Sequence, residues 1–142
     1  MKSYSIASES PNIQFEITDI NVSKEDYYSG NPYNTTFYVK TVSGDFAGVS
    51  LFECNIKDFI DFVKGINDLY YFRIKELEFN DICYGSTIKI AIDKSGHVTI
   101  SGNIYGQSME HSLTFTFITD QTAIENFSKS LYKNYVIESP IK

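Results

Sequence analysis

Three polar side chains in a row, Asp120, Gln121 and Thr122, stand where the apolar-polar alternation of Leu113, Phe115 and Phe117 stops. A carboxylate, an amide and a hydroxyl side by side offer the donors and acceptors of a small polar active site. The same side chains also satisfy the free N–H groups at a helix start. Glu76 and Glu78 lie two apart in a stretch of strand character and so share one face, which suits acid-base work or simply a solvated surface. His97 and His111 are the only histidines and are isolated in the sequence. A small hydrolase would have to rest on Glu76, Glu78 or His97, with no nameable pairing of base and nucleophile. No P-loop, GxGxxG, GxSxG, HExxH or EF-hand pattern occurs. The residues therefore read as those of a non-enzyme without cofactor or metal.

The elements around these residues decide between active site and joint. In the segment after Asp120, Ile124, Phe127, Leu131 and Tyr135 recur at helical spacing, which predicts a helix over about 121–135. Thr122 with Glu125 fits a capping box, and Asp120 is itself positioned to cap the first amides. Either assignment makes the polar cluster a strand-to-helix joint. A first helix is expected over about 55–65, with Ile56, Phe59, Ile60 and Val63 as its apolar stripe and Asn55 as its cap. Lys64 and Gly65 supply its expected C-terminal signals.

Before and between the helices the chain alternates with the period of strands. "NIQFEITDINV", "TTFYVKTV" and "FAGVSLFEC" come first, the last two joined by a turn at Ser43-Gly44-Asp45. "YFRIKELEFN", "STIKIAID", "HVTISGNIY" and "SLTFTFIT" follow as a meander, with a break of parity expected near Lys75. The expected fold is α+β: one curved, mainly antiparallel sheet of about seven strands, with the two helices packed on one face. Residues 1–142 read as a single domain.

Composition narrows the partners. The 142 residues are 42% apolar and 15% aromatic, as in a folded globular protein. A net charge of -6 with Arg73 as the only arginine argues against direct nucleic-acid binding, which needs clustered cations to neutralise phosphates. The start "MKSYSIASESPN" lacks the charged and apolar regions of a secretory signal, and the expectation is a cytoplasmic protein without membrane association. Cys54 and Cys83, far apart and outside any CxxC, read as two buried reduced thiols. The loop "KEDYYSGNPYN" sets Glu25 and Asp26 beside Tyr27, Tyr28 and Tyr33, a partner-binding candidate because tyrosine joins a large apolar area to a polar tip. Tyrosines covering the end of the sheet account for the same residues.

"GHVTISGNIY" followed by "HSLTFTFITDQTAIENFSKSL" resembles the immunity proteins of the WapI type, and "GDFAGVSLFECNIKDFIDFVKGIN" is similar to that family's glycine-containing strand and first helix. The similarity runs roughly from Phe15 to Leu131, with Thr119 to Thr122 as its sharp motif. It implies a cytoplasmic antidote that binds and neutralises the C-terminal domain of a cognate polymorphic toxin, without catalysis. Asp120, Gln121 and Thr122 would mark the family's strand-to-helix joint. A basic nuclease domain is among the toxins that an acidic, tyrosine-bearing surface would suit. The alternative expectation is a small-ligand or carbohydrate-binding module using exposed tyrosines on a curved sheet.

Overall fold

The computed structural model describes residues 3–7, 13–106 and 109–141. The alternating segments form eight strands in two four-stranded antiparallel sheets, each ordered as the chain runs. The first holds β1 (Ser3–Ala7), β2 (Ile13–Val22), β3 (Thr35–Ser43) and β4 (Phe46–Cys54). The second holds β5 (Glu76–Asn80), β6 (Thr87–Ile92), β7 (His97–Tyr105) and β8 (Ser112–Asp120). A short helix, α1 (Lys24–Tyr28), interrupts the first set; α2 (Ile56–Tyr70) follows it, and α3 (Gln121–Tyr132) follows the second. Four strands and then a long helix thus occur twice.

The fold is α+β, but the expected single seven-stranded sheet is two sheets. Periodicity assigns residues to faces and leaves open which strands pair; here α2 intervenes between β4 and β5, and no ladder joins them. The inner faces share one core. Phe15 meets Phe115 with ring centroids 6.2 Å apart, and Phe79 lies 5.8 Å from Phe37 and 6.2 Å from Phe52. β1, to which the sequence assigns no strand, buries Tyr4 and Ile6, and the Thr119 hydroxyl donates to the Ala7 carbonyl at 2.9 Å across the sheets. The Ser43-Gly44-Asp45 turn forms as expected, with Ser43 opposite Phe46.

Helix α2 starts where expected, the Asn55 side chain accepting from Lys57 N at 2.9 Å, but it runs past Gly65 to Tyr70. Ile66 and Leu69 extend the buried stripe, and Gly65 is an interior residue at a close approach: a Cβ there would stand 2.6 Å from Leu77 Cδ1. The left-handed terminal position falls instead on Phe72, with φ 60°. Phe72 N donates to Leu69 O at 3.0 Å and Arg73 N to Asp68 O at 2.8 Å, the bond pair of a Schellman ending. The strand expected from Tyr71 begins only at Glu76, so the break expected near Lys75 falls between this ending and β5.

Helix α3 answers the question of the polar cluster. Asp120 is the cap, accepting from Ala123 N at 3.0 Å, while the Gln121 amide donates to the Tyr70 carbonyl at 2.6 Å and ties the two helices together. Thr122 sits exposed inside the first turn. After Tyr132 the helix loosens into a π-helical turn, Lys133–Ile137, which still seats the Tyr135 ring 5.3 Å from Phe59 and 6.2 Å from Tyr4. The helix expected over 121–135 is therefore an α-helix with a π-helical end.

Candidate partner-binding surface

The α1 loop is held at its neck. Ser23 caps α1 by accepting from Asp26 N at 3.1 Å, and Ser23 N donates to the Asn34 carbonyl at 2.8 Å, closing the segment between them. Inside it, Asn31 Oδ1 accepts from Tyr33 N at 2.9 Å and the Asn34 amide donates to Asn31 O at 2.9 Å. Asn34 is 3% exposed, and its side-chain oxygen accepts from Ile56 N at 2.8 Å. The loop is thereby fixed to the start of α2. Sequence reasoning passed over Asn34, although an Asn-Pro-Tyr-Asn run is a turn signal in which asparagine bonds local backbone.

The five candidate residues divide by position. No residue of α1 is fully buried. Tyr28 is 64% exposed and Tyr33 47%, Glu25 is exposed, and Asp26 is half-buried. Tyr27 packs against the core, its ring meeting Tyr28 edge-on at 5.1 Å with the Lys57 ammonium 5.8 Å from its centroid. Tyr27 is thus half-buried, while Tyr28 beside it is exposed. The Tyr28 hydroxyl also reaches the Ile141 carbonyl at 3.4 Å.

Through Lys57 the loop adjoins the first two turns of α2. Asp58 and Asp61 there, with Glu78, Asn80 and Phe62, line a groove of about 310 Å³ between α2 and β5. Asp58, Asp61 and Glu78 make this groove acidic.

No family model and no curated protein matches the chain. A solved structure does. The chain is similar to the Trypanosoma bruciei MRP1/MRP2 crystal structures, with a TM-score of 0.57 and 6% identity over 97% of this chain and 86% of that one. At that identity the likeness is one of fold.

Of the residues considered for catalysis, Glu76 and Glu78 share one exposed face as expected, with Lys89 between them. Glu76 pairs with Lys89 at 3.4 Å on the outer face of the second sheet, and Glu78 is directly opposite Lys89 in the ladder. His97 Nδ1 lies 3.3 Å from Asp93 Oδ2, both largely exposed. The backbone amide of His97, and then that of Ser95, hold the Asp93 carboxyl below the usual range. His111 lines a different groove beside Gly48 and Leu113. Among the described residues, no group of three or more His, Cys, Asp or Glu is placed to hold a metal ion.

Cys54 is buried as expected, whereas Cys83 is exposed; both are free thiols. Burial pushes the Cys54 thiol up to about 12, and a hydrogen bond to Glu53 Oε1 at 2.8 Å raises that of Cys83 to about 11. Cys83 sits in a loop organised by Asp81, which is 5% exposed. The Asp81 carboxylate accepts from Glu53 N at 2.6 Å, from Cys83 N at 3.2 Å and from Tyr84 N. Asp81 is a buried knot that alternation alone marks as surface.

For the ligand-module alternative, tyrosines should line a sheet face. Of the largely exposed tyrosines, Tyr38 alone lies on a strand; Tyr28, Tyr33, Tyr71 and Tyr84 are on a short helix, loops and a helix end. No helix of the described residues is long and apolar enough to cross a membrane.

Proposed function

We propose that this protein is a cytoplasmic immunity protein of the WapI type that neutralises the C-terminal domain of a cognate polymorphic toxin by stoichiometric binding. The observation that carries the reading is the α1 loop: fastened at Ser23 and Asn34, it exposes Tyr28 and Tyr33 together with the neighbouring Glu25. A loop held on both sides loses little conformational freedom when a partner orders it, and exposed tyrosines are the residue type that concentrates binding energy. The resemblance around Thr119 to Thr122 supports the antidote class, and the use of Asp120 and Gln121 in hydrogen bonds to Ala123 and Tyr70 accounts for that motif without catalysis. The toxin domain proposed is basic, with a nuclease the foremost class, because the net charge of -6 would speed its encounter.

Coexpression with the toxin domain encoded beside this chain tests the proposal. Cells carrying both should grow and the two proteins should copurify in equal amounts. Cells that die at the rate seen with the toxin alone would overturn it.

A further inference from the structure

β4 is an edge strand whose two halves differ. At its C-terminal half the free edge is covered, because Ile82 N donates to Glu53 O at 3.1 Å and Glu53 N donates to Asp81 Oδ1 at 2.6 Å. Glu53 thus turns both backbone groups away from β3. The direction repeats every second residue in an antiparallel ladder, so Leu51, Val49 and Ala47 turn theirs the same way. Among the described residues, no backbone group answers them. Residues Ala47 to Leu51 include no charge and no proline, the usual devices that keep an added strand off a sheet edge. Val49 is 53% exposed at its centre.

Beside this edge runs a groove of about 240 Å³ lined by Ala47, Gly48, Val49, Ile104, Ser112 and Leu113. Gly48 faces inward, and its missing side chain lets Leu113 and Ile104, which line the groove with it, come against the strand: a Cβ there would lie 2.9 and 3.2 Å from them. A strand laid along β4 would direct alternate side chains into the groove.

We propose that Ala47 to Leu51 is a docking edge for an extended segment of a partner protein, which adds to the sheet as a further strand and seats a large apolar side chain over Ile104 and Leu113. Unpaired strand groups at a two-residue period select an extended backbone, and a groove alongside selects its alternate side chains. A second copy of this chain is the poorer occupant. Paired antiparallel about Val49, it would bring Gly48 and Ser50 to the groove, both too small to fill it. The inference shares with the preceding section the premise that the protein acts by binding another chain, but it uses a different surface.

The test needs no toxin. The capped peptide Lys-Leu-Thr-Leu-Thr-Leu-Lys is titrated to about 1 mM into the isotopically labelled full chain while backbone amides are followed by NMR. Binding at this edge should slow exchange at Ala47, Val49 and Leu51 about tenfold and leave the already bonded Glu53 amide unchanged. Val49→Pro removes the central outward donor and keeps the bonds to β3, so it should abolish the effect; Val49→Lys, which places a charge on the edge, should do the same if the proline variant does not fold. Unchanged exchange at these amides, an equal response in the folded variants, or self-association through this edge would each overturn the proposal. Because the α1 loop takes no part in this titration, its outcome is separate from that of the toxin experiment.

Discussion

The side-chain oxygen of Asn34 accepts the backbone N–H of Ile56 at 2.8 Å, and the same oxygen takes the Thr35 hydroxyl at 3.0 Å. One buried amide therefore fixes the tyrosine-bearing loop and the first turn of α2 together. Replacing it leaves the Ile56 N–H buried without a partner. Asn34→Ala is expected to lower unfolding stability by about 2 kcal/mol, measured by urea denaturation, and to speed exchange at Tyr33. Stability within about 0.5 kcal/mol of the parent would show that other contacts hold the loop.

Gly102 lies on the inner face of β7, opposite Ile88 on one side and Phe115 on the other. A Cβ there would overlap the Thr87 carbonyl oxygen and stand 3.0 Å from the edge of the Phe115 ring. The carbonyl belongs to the neighbouring strand and cannot rotate aside. Gly102→Ala should therefore cost about 3 kcal/mol, at the upper end of overpacking penalties. Gly44→Ala, at a turn where nothing crowds the position, serves as the control for a backbone effect alone. A Gly102→Ala protein as stable as its parent would contradict the close approach of β6 and β7.

Glu125 joins the helices by a second route. Its Oε2 accepts the Tyr70 hydroxyl at 2.6 Å, and its Oε1 lies 3.3 Å from the Lys129 ammonium. The Tyr70 hydrogen bond, and then Lys129, hold its carboxyl below the usual range. Since the folded value is the lower one, the contribution to stability is full above the unfolded value and is lost as pH falls through the folded one. An NMR titration of the Glu125 carboxyl should show a depressed midpoint that rises toward the ordinary value in Tyr70→Phe. The same midpoint in both proteins would contradict the bond.

Much of the local structure was legible because it depends on neighbours in the chain. The joint at Asp120, the start of α2 at Asn55 and the turn at Gly44 each follow from side chains within three or four residues. The division into two sheets was not legible: alternation shows that Phe15, Phe37 and Phe115 face inward, but not which strands lie beside them. Gly65 carries the composition of a helix end and becomes an interior contact only because Leu77 of another element crosses it. Asn34 and Asp81 are polar and look like surface, yet they are buried by the backbone amides they serve. At the candidate site, residue type alone could not separate Tyr27, which packs inward, from Tyr28 and Tyr33, which face solvent.

The proposed function makes the α1 loop the surface that meets a toxin domain. Calorimetric titration of the cognate toxin domain with the Tyr28→Ala/Tyr33→Ala variant tests it most directly. Affinity is expected to fall about 30-fold or more, as for loss of two interface anchors, with unfolding stability near that of the parent because both side chains are largely exposed. Parental affinity in a folded double variant would contradict it.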